Sequence, residues 1–155
     1  MQVYLAGPLF SKAEQAWLSH VKQKIKAISH VHVVCPTDFI IDIGDPNDLD
    51  SIRREIFRQD IVELQRSDIL VAILDGPQVD DETAMAIGYF HALKKDAIIL
   101  GPRTDFRRTG MHNRLKINGV VDCACTHIFT QVCDLVDFLS GLVGQKEQND
   151  EMAVV

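Results

Sequence analysis

The sequence of 155 residues contains no apolar run near the ~18 residues that a membrane-spanning helix needs, so no bilayer-spanning role is expected. Its opening, Met1-Gln2-Val3-Tyr4-Leu5-Ala6-Gly7-Pro8, has no positive charge ahead of the apolar residues and reads directly as a strand. No signal peptide is read there, and a cytoplasmic location is expected. Basic excess is also missing: 16 lysines and arginines face 22 aspartates and glutamates, for a formal charge of −6. That balance argues against nucleic-acid or anionic-membrane partners, which need a basic footprint. Cysteine is sparse. Cys35, Cys123, Cys125 and Cys133 read as reduced thiols, because a C-x-C pair closes poorly as a disulfide. Neither Cys123, Cys125 and His127 nor the six histidines follow a standard zinc spacing, and no metal is expected. There is no G-x-G-x-x-G and no P-loop, so no dinucleotide or flavin cofactor is expected either. Internal repeats and low-complexity segments are absent.

What remains is a chain that is 46% hydrophobic and 25% charged, the balance of one globular domain over residues 1–155, with a polar tail at 145–155. Short apolar runs at 3–6, 31–35, 69–74, 97–100 and 128–130 read as strands. Amphipathic stretches separate most of them. Ala13, Ala16, Trp17, Val21, Ile25 and Ile28 repeat at helical spacing, and Ser11 with Glu14 forms a capping box ahead of them. A second helix is capped by Asp50 or Ser51, a third covers 83–93, and a last one covers 132–143. Strands without polar alternation are buried on both faces, and their alternation with helices predicts a parallel sheet. The fold class is therefore α/β: a three-layer, flavodoxin-like or Rossmann-like sandwich on a five-stranded parallel sheet. Such sheets bind ligands beyond the carboxyl ends of their strands.

Two of the loops at those ends carry unusual chemistry. The first, Gly7-Pro8-Leu9-Phe10-Ser11, offers apolar surface where a phosphate cradle would need amides. The second runs from Asp75 to Thr83 and holds Asp80, Asp81 and Glu82 at a helix start. Capping and the helix dipole explain one or two of these acids, and the excess points to a ligand. Asp60 sits inside a helix beside Ile61, where surface decoration explains it poorly, whereas Asp68 at a strand start reads as structural.

Together these segments resemble the nucleoside 2-deoxyribosyltransferase family. Tyr4-Leu5-Ala6-Gly7-Pro8-Leu9-Phe10-Ser11 resembles its opening signature, 67–76 its central strand, Thr83-Ala84-Met85-Ala86-Ile87-Gly88-Tyr89 its catalytic helix, and Arg103-Thr104-Asp105-Phe106-Arg107 with Asn113 its late loop. The resemblance implies transfer of a 2-deoxyribosyl group between nucleobases through a covalent glycosyl-enzyme. A glutamate attacks the anomeric carbon, and the route is retaining and ping-pong. It implies no cofactor. It further implies that Tyr4 orients the nucleophile, Gly7 allows close approach, and Phe10 packs on the nucleoside. Asp60 and Asp80 would contact the base, one of them as proton donor, and Asp38 is a weaker candidate for the base edge. Asn113, with Leu115, would reach the sugar in a neighbouring subunit of a homo-oligomer. Deoxynucleosides and free nucleobases are the implied partners.

One position departs from the pattern. The nucleophilic glutamate is expected three residues after Thr83, and that residue is Ala86. A methyl group cannot attack an anomeric carbon. Ala86 reads as a truncation that leaves a nucleoside-binding but catalytically dead variant, as a natural binding module that has lost its chemistry, or as a loss for which Glu82, one turn earlier, substitutes. A deoxynucleoside-monophosphate N-glycosidase is the nearest rival activity, kept open by Ser11, Arg103, Arg107 and Arg108. The apolar Ala153-Val154-Val155 end suggests docking onto a neighbouring copy.

Overall fold

The computed structural model describes residues 1–41, 47–104 and 117–153. Five strands, β1 (Gln2–Ala6), β2 (His32–Val34), β3 (Ile69–Ala72), β4 (Ile98–Pro102) and β5 (His127–Phe129), form one sheet in the order β2-β1-β3-β4-β5. Every neighbouring pair is parallel, with Val3 opposite both Val33 and Ile69. The paired part of β3 is shorter than the apolar run at 69–74. Its ladder nevertheless continues, since the amides of Ile73 and Leu74 donate to Ala6 O and Pro102 O at 2.9 Å each.

Helices cover both faces. On one, α1 (Lys12–Lys26) and α5 (Val132–Ala153) bury Leu18, Val21, Ile25, Leu135 and Leu139 against Val3, Leu5 and Val71. On the other, α2 (Leu49–Arg66) and α3 (Asp81–Leu93) bury Leu64, Ala86, Ile87 and Phe90 against Tyr4, Leu70 and Ile99. Alternate residues of β1 thus feed opposite layers, as strand geometry requires. The capping box forms as expected: Ser11 Oγ accepts from the Glu14 amide, and the Glu14 carboxylate accepts from the Ser11 amide at 2.7 Å.

Three boundaries differ from expectation. Asp48, not Asp50 or Ser51, caps α2, because its carboxylate reaches both the amide and the hydroxyl of Ser51. A short helix, α4 (Gly119–Ala124), follows the Asn118 cap in a stretch to which the sequence pattern assigns no element. Most conspicuously, α5 runs on to Ala153, so residues 145–153 of the expected polar tail are helical. Gln, Lys and Glu have good helix propensity, and no proline interrupts them there.

Gly101 shows how tightly β4 sits on its neighbours. A Cβ there would meet Leu74 Cδ1 at 2.5 Å and Ile128 Cδ1 at 3.0 Å. Leu74 is fully buried and has little room to move. Gly101→Ala is expected to destabilise the domain by about 1–3 kcal/mol through overpacking, read as a lower denaturation midpoint at unchanged m-value.

Candidate active site

Neighbouring strands β1 and β3 lead into helices on opposite faces, α1 and α3. That divergence opens a crevice at their carboxyl ends, where open α/β sheets take ligands. Tyr4 of β1 points toward the α2–α3 side, and its hydroxyl donates to Asp60 Oδ1. Both residues are buried, Tyr4 at 2% and Asp60 at 7% exposure. The first turns of α3 bring Glu82, Thr83, Met85 and Ala86 to the same place. With Gly7 they enclose a crevice of about 10 Å³. Beside it a groove of about 420 Å³ runs between α2 and α3, and Asp60, Glu82 and Met85 line both.

Electrostatics sort the polar groups by role. Burial, then the Asp60 carboxyl, push the Tyr4 phenol far above its ordinary value, so it stays a hydrogen-bond donor. Burial raises the Asp60 carboxyl too, against the opposing pull of the Tyr4 hydroxyl. Glu82 is pushed up to about 6 by burial and by the like charges of Asp60, Asp80 and Asp81. Because the folded chain holds that proton more tightly than the unfolded one, stability falls as pH rises from about 4.5 through about 6. Above that window the ionised carboxylate costs the fold about 1 kcal/mol, after allowance for its half-exposed setting. Glu82→Gln is therefore expected to raise Tm by a few degrees at pH 7.5, with the gain vanishing below about pH 4.5. A pH series of thermal melts reads this directly.

The other candidates fall outside this crevice or have structural duties. Asp80 caps α3, its Oδ2 accepting from the amide of Thr83 at 3.1 Å and from its hydroxyl at 3.3 Å. Phe10 is 77% exposed on the loop after β1. Gly7 lines the crevice, and a Cβ there would press on Leu18 and Ile73 at 3.0–3.1 Å, so close helix–strand packing already requires glycine. Asp38 ends a short 3₁₀ turn. Burial works against its charge, but Lys22 and the Cys35 amide hold its carboxyl below the ordinary range. Asn113 and Leu115 lie outside the described residues, as do Asp105, Phe106, Arg107, Arg108, Val154 and Val155.

Two groups kept in view for a phosphate are already engaged. Ser11 caps α1, and the buried Arg103 guanidinium donates to the carbonyls of Leu74 and Gly76. Asp75 is a residue the sequence reading passed over. Its carboxylate accepts from Trp17 Nε1 at 2.8 Å and from the Thr104 amide at 2.6 Å, tying the ends of β3 and β4 to α1. Thr83 and Met85 were also passed over as crevice residues. Met85 lies three residues after Glu82 and Thr83 three before Ala86, and that spacing along one helix is the signal that could have found them. Burial pushes the Cys125 thiol up to about 12, too high for a useful thiolate. Among the described residues, no group of three histidines, cysteines or acids is placed to hold a metal.

The strand order and the switch-point crevice define a class, the small doubly wound α/β domain of flavodoxin-like order. Within it, the sequence profile described as nucleoside 2-deoxyribosyltransferase matches residues 3–129. The chain belongs to that family. Solved structures agree on the fold. A 2-deoxyribosyltransferase from Bacillus psychrosaccharolyticus superposes with a TM-score of 0.71 at 19% identity, covering 88% of this chain and 90% of its own. A conserved protein from Enterococcus faecalis gives 0.70 at 24% identity, with 88% and 94% covered. A 2-deoxyribosyltransferase from Leishmania mexicana gives 0.63 at 21%, with 90% and 97% covered. No curated protein matches the chain by sequence.

Proposed function

We propose that the chain binds 2′-deoxynucleosides in the α2–α3 crevice and is inert in base exchange by the family's covalent route. One observation carries this reading: Tyr4, Asp60 and Thr83 converge on Ala86, where the family's nucleophile would project. The anomeric carbon then faces Ala86, and the base extends toward Asp60 and the groove beyond. Of the two acids proposed to meet the base, Asp60 is the proton donor, because burial favours its neutral form while Asp80 is held as a helix cap. The groove's volume is within the range of small-ligand sites.

A 5′-phosphate is not the preferred handle, since Ser11 and Arg103 are committed to the fold. Completion of the sugar site by Asn113 and Leu115 of a second copy belongs to the same proposal. Exposed Phe57 and Met85 on α2 and α3 are apolar surface that such a copy could cover. The four cysteines are free thiols, which suits a reducing, cytoplasmic setting and a role in nucleoside salvage. Purines and pyrimidines are both retained as bases.

Calorimetric titration with a deoxynucleoside and with its 5′-monophosphate tests the reading. Saturable binding that favours the unphosphorylated nucleoside, without base exchange, supports it. Preference for the monophosphate, or no binding of either, overturns it.

A further inference from the structure

The crevice at Ala86 has a feature the family's chemistry does not use. Its walls include Glu82, one turn before Ala86 on the same face of α3, together with Tyr4, Asp60 and Thr83. Its volume, about 10 Å³, is close to the minimum for one water molecule, and the walls offer the polar partners a water needs. We propose that Glu82 is a general base that drives a water at the Ala86 position onto the anomeric carbon, making the chain a deoxynucleoside hydrolase with inversion. This rests on the nucleoside-binding reading above.

The spacing favours a base over a substitute nucleophile. Glu82 starts one helical turn, about 5 Å, from the residue that would face the sugar. A carboxylate set back by that distance has room for a water between itself and the carbon, the arrangement of inverting glycoside hydrolysis. The step balances. Glu82 accepts a proton from the water, and the water oxygen bonds to C1′. The C1′–N bond breaks with its electron pair going to the base nitrogen, which takes a proton from Asp60. Solvent returns the proton from Glu82 to Asp60, and the products are free base and 2-deoxyribose.

The groups facing Glu82 are Asp60 and Arg53 from α2, the Asp80 cap and Asp81 at the start of its own helix, and Tyr4 from β1. Burial, and then these acids, push its carboxyl up to about 6, so it is ionised at neutral pH and still basic enough to take a proton. The rate is expected to rise with pH through that value.

The test is release of free base from a deoxynucleoside by the unaltered chain in buffer containing methanol. Slow release is expected, with the methyl 2-deoxyriboside formed only as the inverted α anomer. Glu82→Gln is expected to lower the rate at least about 100-fold while nucleoside still binds by calorimetry. A β anomer or base exchange would mean that Glu82 attacks the sugar itself, and would overturn the general-base role. Nucleoside binding with no base release, or full activity in Glu82→Gln, also overturns it and leaves the binding reading intact. Failure to bind at all would instead remove the reading on which it rests.

Discussion

Ala86→Glu is expected to create base exchange between a deoxynucleoside and a free base, by at least about 10³-fold over the unaltered chain. The size follows from what a nucleophile contributes in covalent catalysis, where its removal alone costs several orders of magnitude. The new carboxylate would project from α3 beside Tyr4 and Asp60, which already form a buried hydrogen-bonded pair. Its charge would not be free of cost. Asp60 and Glu82 line the same crevice, and like charges push a carboxyl toward its neutral form. The double variant Ala86→Glu with Glu82→Ala is therefore expected to exchange bases faster at pH 7 than the single variant, and to hold that rate to lower pH. Chromatographic detection of the new nucleoside checks both. If neither variant exchanges bases although both bind nucleoside, the assignment of position 86 fails.

The second large effect belongs to Asp60. Asp60→Ala removes the acceptor of the Tyr4 hydroxyl inside a buried environment. An unpaired buried hydroxyl costs about 1–3 kcal/mol, and the change is expected to lower stability by that amount. Deoxynucleoside affinity is expected to fall about 5-fold, because a hydrogen bond between neutral groups is worth about 0.5–1.5 kcal/mol. Asp60→Asn separates the two losses. Its amide oxygen still accepts from Tyr4, so stability should stay within about 1 kcal/mol of the unaltered chain while the acidic proton is gone. Glu82 provides an internal reporter. Its carboxyl is raised in part by Asp60, so in Asp60→Asn its titration should move down from about 6 toward the ordinary range. An NMR pH titration of the Glu82 side chain reads that shift, and an unmoved midpoint would uncouple the two residues.

The central sheet was readable because its chemistry is local. Runs such as Ile69-Leu70-Val71-Ala72 are apolar on both faces, which only a covered parallel sheet accommodates. The Ser11–Glu14 box was equally plain, since both halves of it lie within one turn. The far end of α5 was not, because a run of Gln, Lys and Glu reads as solvated tail or helix surface with equal ease. The Asp48 cap was missed because Asp48, Asp50 and Ser51 are all good capping residues, and only backbone geometry chooses between them.

The crevice divides in the same way. Tyr4 and Asp60 were singled out from separate motifs, and the fold brings them into a hydrogen bond across 56 positions of sequence. Glu82 was visible as an excess acid, but its raised carboxyl depends first on burial and then on Asp60, and spacing alone shows neither. Asp75 was not singled out because its partners, Trp17 and Thr104, are distant in sequence and meet only once the strands align.

The most direct test of the account is a crystal structure of the unaltered chain with a carbon-linked deoxynucleoside, whose C1′–base bond cannot be cleaved. The account predicts the sugar's C1′ over Ala86, with the base toward Asp60 and the α2–α3 groove. Clear density for the ligand elsewhere, such as the groove lined by Trp17 and Val136 between α1 and α5, would contradict it.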